Sequence, residues 1–215
     1  MTLENKLYRK IQPLLEGMTE GIYWDFKKTL TDTADIIKDI LAFSNSGYEN
    51  DSYIIVGVGE SKKKEELTRI PLSSEDRQRL GTDSNFIYAA GKWDVHGLNA
   101  KELESMKQFS AMLSEKLSTS MLISQPCCEY VPLQIGKSRW LYLIIVKKVP
   151  GVFIAKKDLP HSYDAKKIAV KQGVLYIRVA DTTIGAKTEV ASATEHIRVW
   201  KNYINWLAKT EVSIE

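Results

Sequence analysis

Residues 20–28 read "EGIYWDFKK". Ile22, Trp24 and Phe26 alternate with Tyr23, Asp25 and Lys27, the period of a β-strand. Asp25 is the anomaly. Aspartate is depleted in strands, and a buried charge requires an opposite charge or a metal ion beside it. The next stretch, "TDTADIIKDILAFSNSG" at 31–47, places Ile36, Ile37, Ile40, Leu41 and Ser44 on one face of a helix. Thr31, Asp32 or Thr33 serves as its N-cap, and Asn45 to Gly47 ends it. "SYIIVGVGE" at 52–60 is β-branched and apolar, the composition of a central strand. Strand, helix and strand within forty residues open a domain that mixes helices with a sheet.

Working outward, Leu3, Leu7, Ile11, Leu14 and Leu15 recur at helical spacing, with an interruption expected at Pro13 and a stop at Gly17. Residues 61–100, which begin with the charge run "SKKKEE", carry little pattern. A helix is predicted over about 101–119 from Leu103, Met106, Phe109, Leu113 and Leu117. Strands follow in "CCEYVPLQI" (127–135), "RWLYLIIVKKV" (139–149) and "VLYIRVA" (174–180), the first two joined as a hairpin by "GKS". A closing helix over about 192–208 presents Ile197, Trp200, Tyr203, Ile204 and Leu207. The expected fold class is α/β (α+β), a mixed sheet flanked by helices. Residues 1–17 form an N-terminal helix, 18–190 the domain, and 191–215 a helix packed on it.

Composition excludes several classes. With 215 residues, 44% hydrophobic and 27% charged, the chain is globular rather than disordered. A net charge of +3 is too small to demand a polyanionic partner. Cys127 and Cys128 are adjacent and alone, so no disulfide framework exists, and Cys127 reads as a small buried residue at a strand start. The charged N-terminus lacks the apolar core of a signal peptide, and the longest apolar run, "WLYLIIV", is strand length. A cytoplasmic, reduced protein without a membrane partner is expected. No phosphate loop occurs, "GVGE" lacks the third glycine of a dinucleotide turn, and His96, His161 and His196 have no ligand spacing in sequence.

The carboxylates remain. If the two strands are neighbours, Glu20, Asp25 and Glu60 converge at one sheet end, where clustered acids need a cation. Oxygen-rich sets suit Mg²⁺ or Mn²⁺, and such an ion activates water and stabilises charge on a phosphodiester. Lys27 then contacts the phosphate. The competing reading has Glu20 solvated, Asp25 paired with Lys27 in a structural ion pair, and Glu60 in a turn. From 137 to 187 eleven basic residues face only three acids. Lys147, Lys148, Lys156, Lys157, Lys166, Lys167, Lys171 and Arg178 form the expected RNA-binding face, with Trp140, Phe153 and Tyr163 for stacking. A solvated lysine-rich surface is the alternative.

In order along the chain, "E-x4-D-F-K" at 20–27, "DIIKDILAFSNS" at 35–46, "YIIVGVGE" at 53–60 and "VLYIRVADTTIGA" at 174–186 resemble the motifs of the Schlafen-type AlbA_2 family. The family pattern has a serine where this chain has Gly21, and a glycine pair where it has "GYENDS". The resemblance implies metal-dependent endoribonuclease chemistry on tRNA or another structured RNA, with Mg²⁺ or Mn²⁺ held at Glu20, Asp25 and Glu60. It implies that Asn45, at the helix end, caps or positions rather than catalyses. It further implies an effector of antiviral defence or a toxin, with a second copy of the chain or a regulatory protein as partner. The alternative it leaves is a non-catalytic nucleic-acid-binding or regulatory AlbA_2 module.

Overall fold

The computed structural model describes residues 1–17, 19–61, 69–181 and 185–211. Most of the 61–66 charge run lies outside them.

Four strands form the central sheet in the order β1 (Trp24–Lys27), β2 (Ser52–Val56), β8 (Arg139–Val146), β7 (Cys128–Gly136). β1 and β2 run parallel, with Asp25 opposite Ile54 and Lys27 opposite Val56; the other neighbours are antiparallel. A parallel pair needs a crossover, supplied here by α2 (Thr33–Asn45). Asp32 caps α2, its carboxylate accepting from the Ala34 N–H at 2.8 Å. Pleating divides the sheet into two faces. Phe26, Tyr53, Ile55, Leu141, Leu143 and Ile145 pack with α1 (Leu3–Leu15). Ile54, Val56, Tyr142, Ile144 and Val146 pack with α2 and α4 (Ala100–Ser120). Asp25 and Lys27 alternate with Phe26, so they lie on the α2 side.

α1 continues through Pro13 to Leu15 instead of breaking there, because its last turn is buried against the sheet by Leu14 and Leu15. The 52–60 segment is two strands: Gly57 has φ +103°, which side chains rarely adopt, and turns the chain from β2 into β3 (Val58–Glu60). β3 pairs with β6 (Trp93–Val95), inside the stretch that carried little pattern. That stretch also holds the short pair β4 (Ile70–Pro71) and β5 (Phe86–Ile87) around α3 (Ser74–Leu80). Cys127 is exposed, not buried.

A second lobe of sheet is built from the hairpins β9 (Leu159–Pro160)–β10 (Ile168–Val170) and β11 (Tyr176–Asp181)–β12 (Gly185–Val190), both laid against α2. α5 (Ala193–Glu211) docks on it through Val199 and Tyr203. Apart from Tyr203, the face expected to pack is turned outward: Ile197 is 68% and Ile204 57% exposed. Together the described residues make one α+β domain, and no described helix is long and apolar enough to cross a membrane.

Candidate active-site cleft

Asp25 sits on β1 with 2% of its surface exposed, and cations answer for it on two sides. From β11, the Arg178 guanidinium donates to Oδ1 at 2.6 Å. Lys27 Nζ lies 2.6 Å from Oδ2, in ion-pair contact rather than an aligned hydrogen bond, and 3.1 Å from Asp39 of α2. Asp39 accepts from the Thr188 hydroxyl of β12 at 2.9 Å, and Glu20 accepts from the Phe26 N–H at 2.9 Å. Three acids and two cations thus form one network from β1, α2, β11 and β12.

Its protonation follows from burial and sign. Burial opposes the Asp25 charge, but Lys27 and Arg178 outweigh it and hold the carboxyl below the usual range. Burial also opposes the Lys27 charge, and Asp39 and Asp25 outweigh it, so Lys27 is held above the lysine range. Glu20 is pushed up to about 7, first by burial and then by the neighbouring Asp25 charge. Burial and then Asp25 likewise raise Asp39.

The network opens into a polar cleft of about 340 Å³ lined by Lys27, Asp39 and Thr188, and further along by Asp32 and Asp35. There the loop after β9 brings in His161, whose Nδ1 is 3.1 Å from Asp32 Oδ2 and 3.4 Å from Asp35 Oδ1. Among the described residues, this is a set in which each member offers one ligand atom within 4.8 Å of the others. One ring nitrogen and two carboxylates at that separation are compatible with a divalent cation.

The sequence-based site residues fall out as follows. Glu20, Asp25 and Lys27 come together. Glu60 does not join them: its side chain is 61% exposed and pairs with Lys92 at 2.5 Å, and Glu20, Asp25 and Glu60 do not form an ion-holding set. The cause is Gly57, which ends β2 and redirects β3 toward β6. Asp39, which the sequence did not single out, is the third acid of the network. Asp32, Asp35 and His161 were also missed, since Asp32 and His161 lie 129 residues apart. The spacing of Asp32, Asp35 and Asp39, three and four residues on a helix, was the available signal.

Arg178, expected to track RNA, is buried on Asp25. Lys147 is bound to Asp51 at 2.8 Å, and Lys148 donates to the Ser46 carbonyl at 2.9 Å. Lys156, Lys157, Lys166, Lys167 and Lys171 are exposed. Of the three aromatics expected to stack, Phe153 is core and Trp140 packs against it, whereas Tyr163 is 70% exposed beside His161, ring centroids 4.8 Å apart. Asn45 positions, as expected: it bonds Phe153 N and O and Tyr176 O, fixing α2 to the second lobe. At Gly21 an added Cβ would fall 1.9 Å from the Trp24 ring, so the indole occupies the space the family's serine would need.

A sequence model of the family described as "Schlafen, AlbA_2" matches residues 20–187. The chain belongs to the Schlafen AlbA_2 family. The matched span runs from the first acid of the network into β12, so it contains the residues that line the cleft except Thr188. No curated protein and no solved structure matches this Schlafen AlbA_2 chain.

Proposed function

We propose that this domain is a metal-dependent endoribonuclease acting on a structured RNA, tRNA foremost. The observation that carries the reading is the shared cleft: Asp32 and Asp35 line the same recess as the partly exposed Lys27, and His161 beside them completes an ion-capable set. The donor set fits a divalent ion, and its ring nitrogen favours Mn²⁺ over Mg²⁺, which prefers oxygen throughout. Bound there, the ion would supply an activated water and neutralise charge on a phosphodiester. Lys27 would hold the phosphate, kept charged and oriented by Asp25 and Asp39, while Arg178 keeps Asp25 in place. Tyr163 offers a face to a base, and Lys166 and Lys167 on the same loop offer charge to the backbone. Unregulated RNA cutting would be toxic, which suits an effector of antiviral defence or a toxin.

One observation favours a second reading, a non-catalytic nucleic-acid-binding or regulatory module. Lys27 and Arg178 already answer the charges of Asp25 and Asp39, and Glu20, pushed up to about 7, holds a proton below that pH, so that network needs no metal. A cleavage assay separates the two. Total tRNA is incubated with wild type, His161→Ala and Lys27→Met in Mn²⁺, Mg²⁺ or EDTA. The nuclease reading expects ion-dependent cutting, abolished by EDTA and reduced at least a hundredfold in both variants. Absence of cutting under every condition, with salt-sensitive tRNA binding intact, establishes the binding module instead.

A further inference from the structure

The opposite end of α2 carries another recess. Thirteen residues at 1.5 Å each place it about 20 Å from Asp32 along the helix axis. It encloses about 300 Å³ between the end of α2, residues 148–151 and α5. Two cations line it. Lys148 Nζ donates to Ser46 O at 2.9 Å, and the Arg198 guanidinium donates to Asn45 O at 3.1 Å. Each thereby caps a carbonyl at the helix C-terminus, but an ammonium has three donors and a guanidinium five, so most remain for a ligand. Acids stand near both: the Glu195 carboxylate is 3.8 Å from Arg198 Nε, Asp51 accepts from the Lys148 backbone N–H at 3.0 Å while its other oxygen holds Lys147, and Glu49 also acts on the Lys148 charge. Lys148 and Arg198 hold successive carbonyls, which makes the two cations near neighbours; desolvation of the ammonium and then the Arg198 charge hold Lys148 below the lysine range.

Farther along α5 from Arg198 are Tyr203 and Trp206, stacked with an interplanar angle of 15° and centroids 5.9 Å apart. Trp206 is 39% exposed and lines the recess, as does the exposed amide of Asn202. The floor is rigid, because Asn45 is tied to Phe153 and Tyr176. Ser44 there keeps a buried hydroxyl with no protein partner.

A doubled positive charge, an open indole face and an amide in a space of this size match one ligand chemistry. A phosphate needs the cations, a planar ring needs the indole, and a base edge needs a group that both donates and accepts. We propose that this recess binds a nucleotide, its phosphate on Lys148 and Arg198 and its base on Trp206. The nucleotide is either free or a flipped-out residue of a single-stranded RNA. The site lies apart from the ion-capable cleft and does not depend on RNA being cut.

The test is calorimetric titration in EDTA, so that cleavage plays no part, with AMP, UMP, a hexauridylate and inorganic phosphate against wild type, Lys148→Ala and Trp206→Ala. Melting curves confirm that both variants fold. Binding of a mononucleotide, weakened about tenfold or more by each substitution, supports a free-nucleotide site. Binding of the hexamer alone, with the same losses, supports a residue within RNA. If phosphate binds as tightly as the nucleotides and Trp206→Ala changes nothing, the recess is an anion site and the proposal is wrong. No binding of any probe by the folded wild type also overturns it.

Discussion

Arg178 and Asp25 are joined at 2.6 Å across 153 residues of sequence, the guanidinium from the second lobe meeting a carboxylate at the centre of the first. Each is almost fully buried. Removing one member therefore strands the other without water.

Asp25→Ala leaves Arg178 and Lys27 facing each other without their shared counter-charge. The expected loss is about 3–5 kcal/mol of folding stability, read from urea denaturation. Arg178→Met added to that variant removes the stranded cation and recovers part of the loss, a departure from additivity that measures the coupling. Simple addition of the two single losses would show that the pair is not coupled.

Glu20 gives the network a pH signature. Its carboxyl rises from an ordinary value near 4.5 to about 7 in the folded protein. Between those values the folded state holds a proton that the unfolded state has released. Stability attributable to Glu20 is therefore greatest below the unfolded value, falls as pH rises through this window, and levels off above 7. Urea midpoints at pH 5, 6, 7 and 8 should show that slope in wild type and a flatter line in Glu20→Gln. Parallel profiles would place the titration elsewhere.

The Asp32–Asp35–His161 set predicts ion-linked stability. Mn²⁺ at a hundred times its dissociation constant should add about 2.7 kcal/mol, visible as a rise in melting temperature. His161→Ala should lose the rise, whereas His96→Ala should keep it. An equal rise in both would assign the ion to another place.

Glu60→Ala distinguishes the structure from the sequence reading that put Glu60 in the catalytic set. An exposed acid paired with an exposed Lys92 contributes little, so stability should change by less than about 1 kcal/mol. RNA cleavage should stay within about twofold of wild type, since Glu60 pairs with Lys92 and is not among the residues that line the cleft. A loss of activity comparable to that of His161→Ala would restore Glu60 to the site.

The β1–α2–β2 unit was legible because its signals are local: alternation around Trp24 and Phe26, the Asp32 cap, and the β-branched run at 52–56. Asp25 was legible as an anomaly, and its Lys27 partner is two residues away on the same strand face. What escaped was set by distance or by a single backbone angle. Nothing in residues 20–39 announces that Arg178 or His161 will arrive from the far half of the chain. Gly57 looked like a residue within one strand, yet its positive φ splits that strand and carries Glu60 away. The outward stripe of α5 reads like any buried helical face; only the docking of Val199 and Tyr203 decides which side meets the protein.

The two-lobed origin of the cleft also sets an order in time. Glu20, Asp25, Lys27, Asp32, Asp35 and Asp39 leave the ribosome almost together, but His161, Arg178 and Thr188 follow only after roughly 120 further residues. At ordinary translation speeds that interval is on the order of ten seconds. Throughout it the nascent chain lies beside ribosomal RNA and a stream of tRNAs with its cleft unfinished. A site that needs both lobes cannot be complete until residue 188 has emerged.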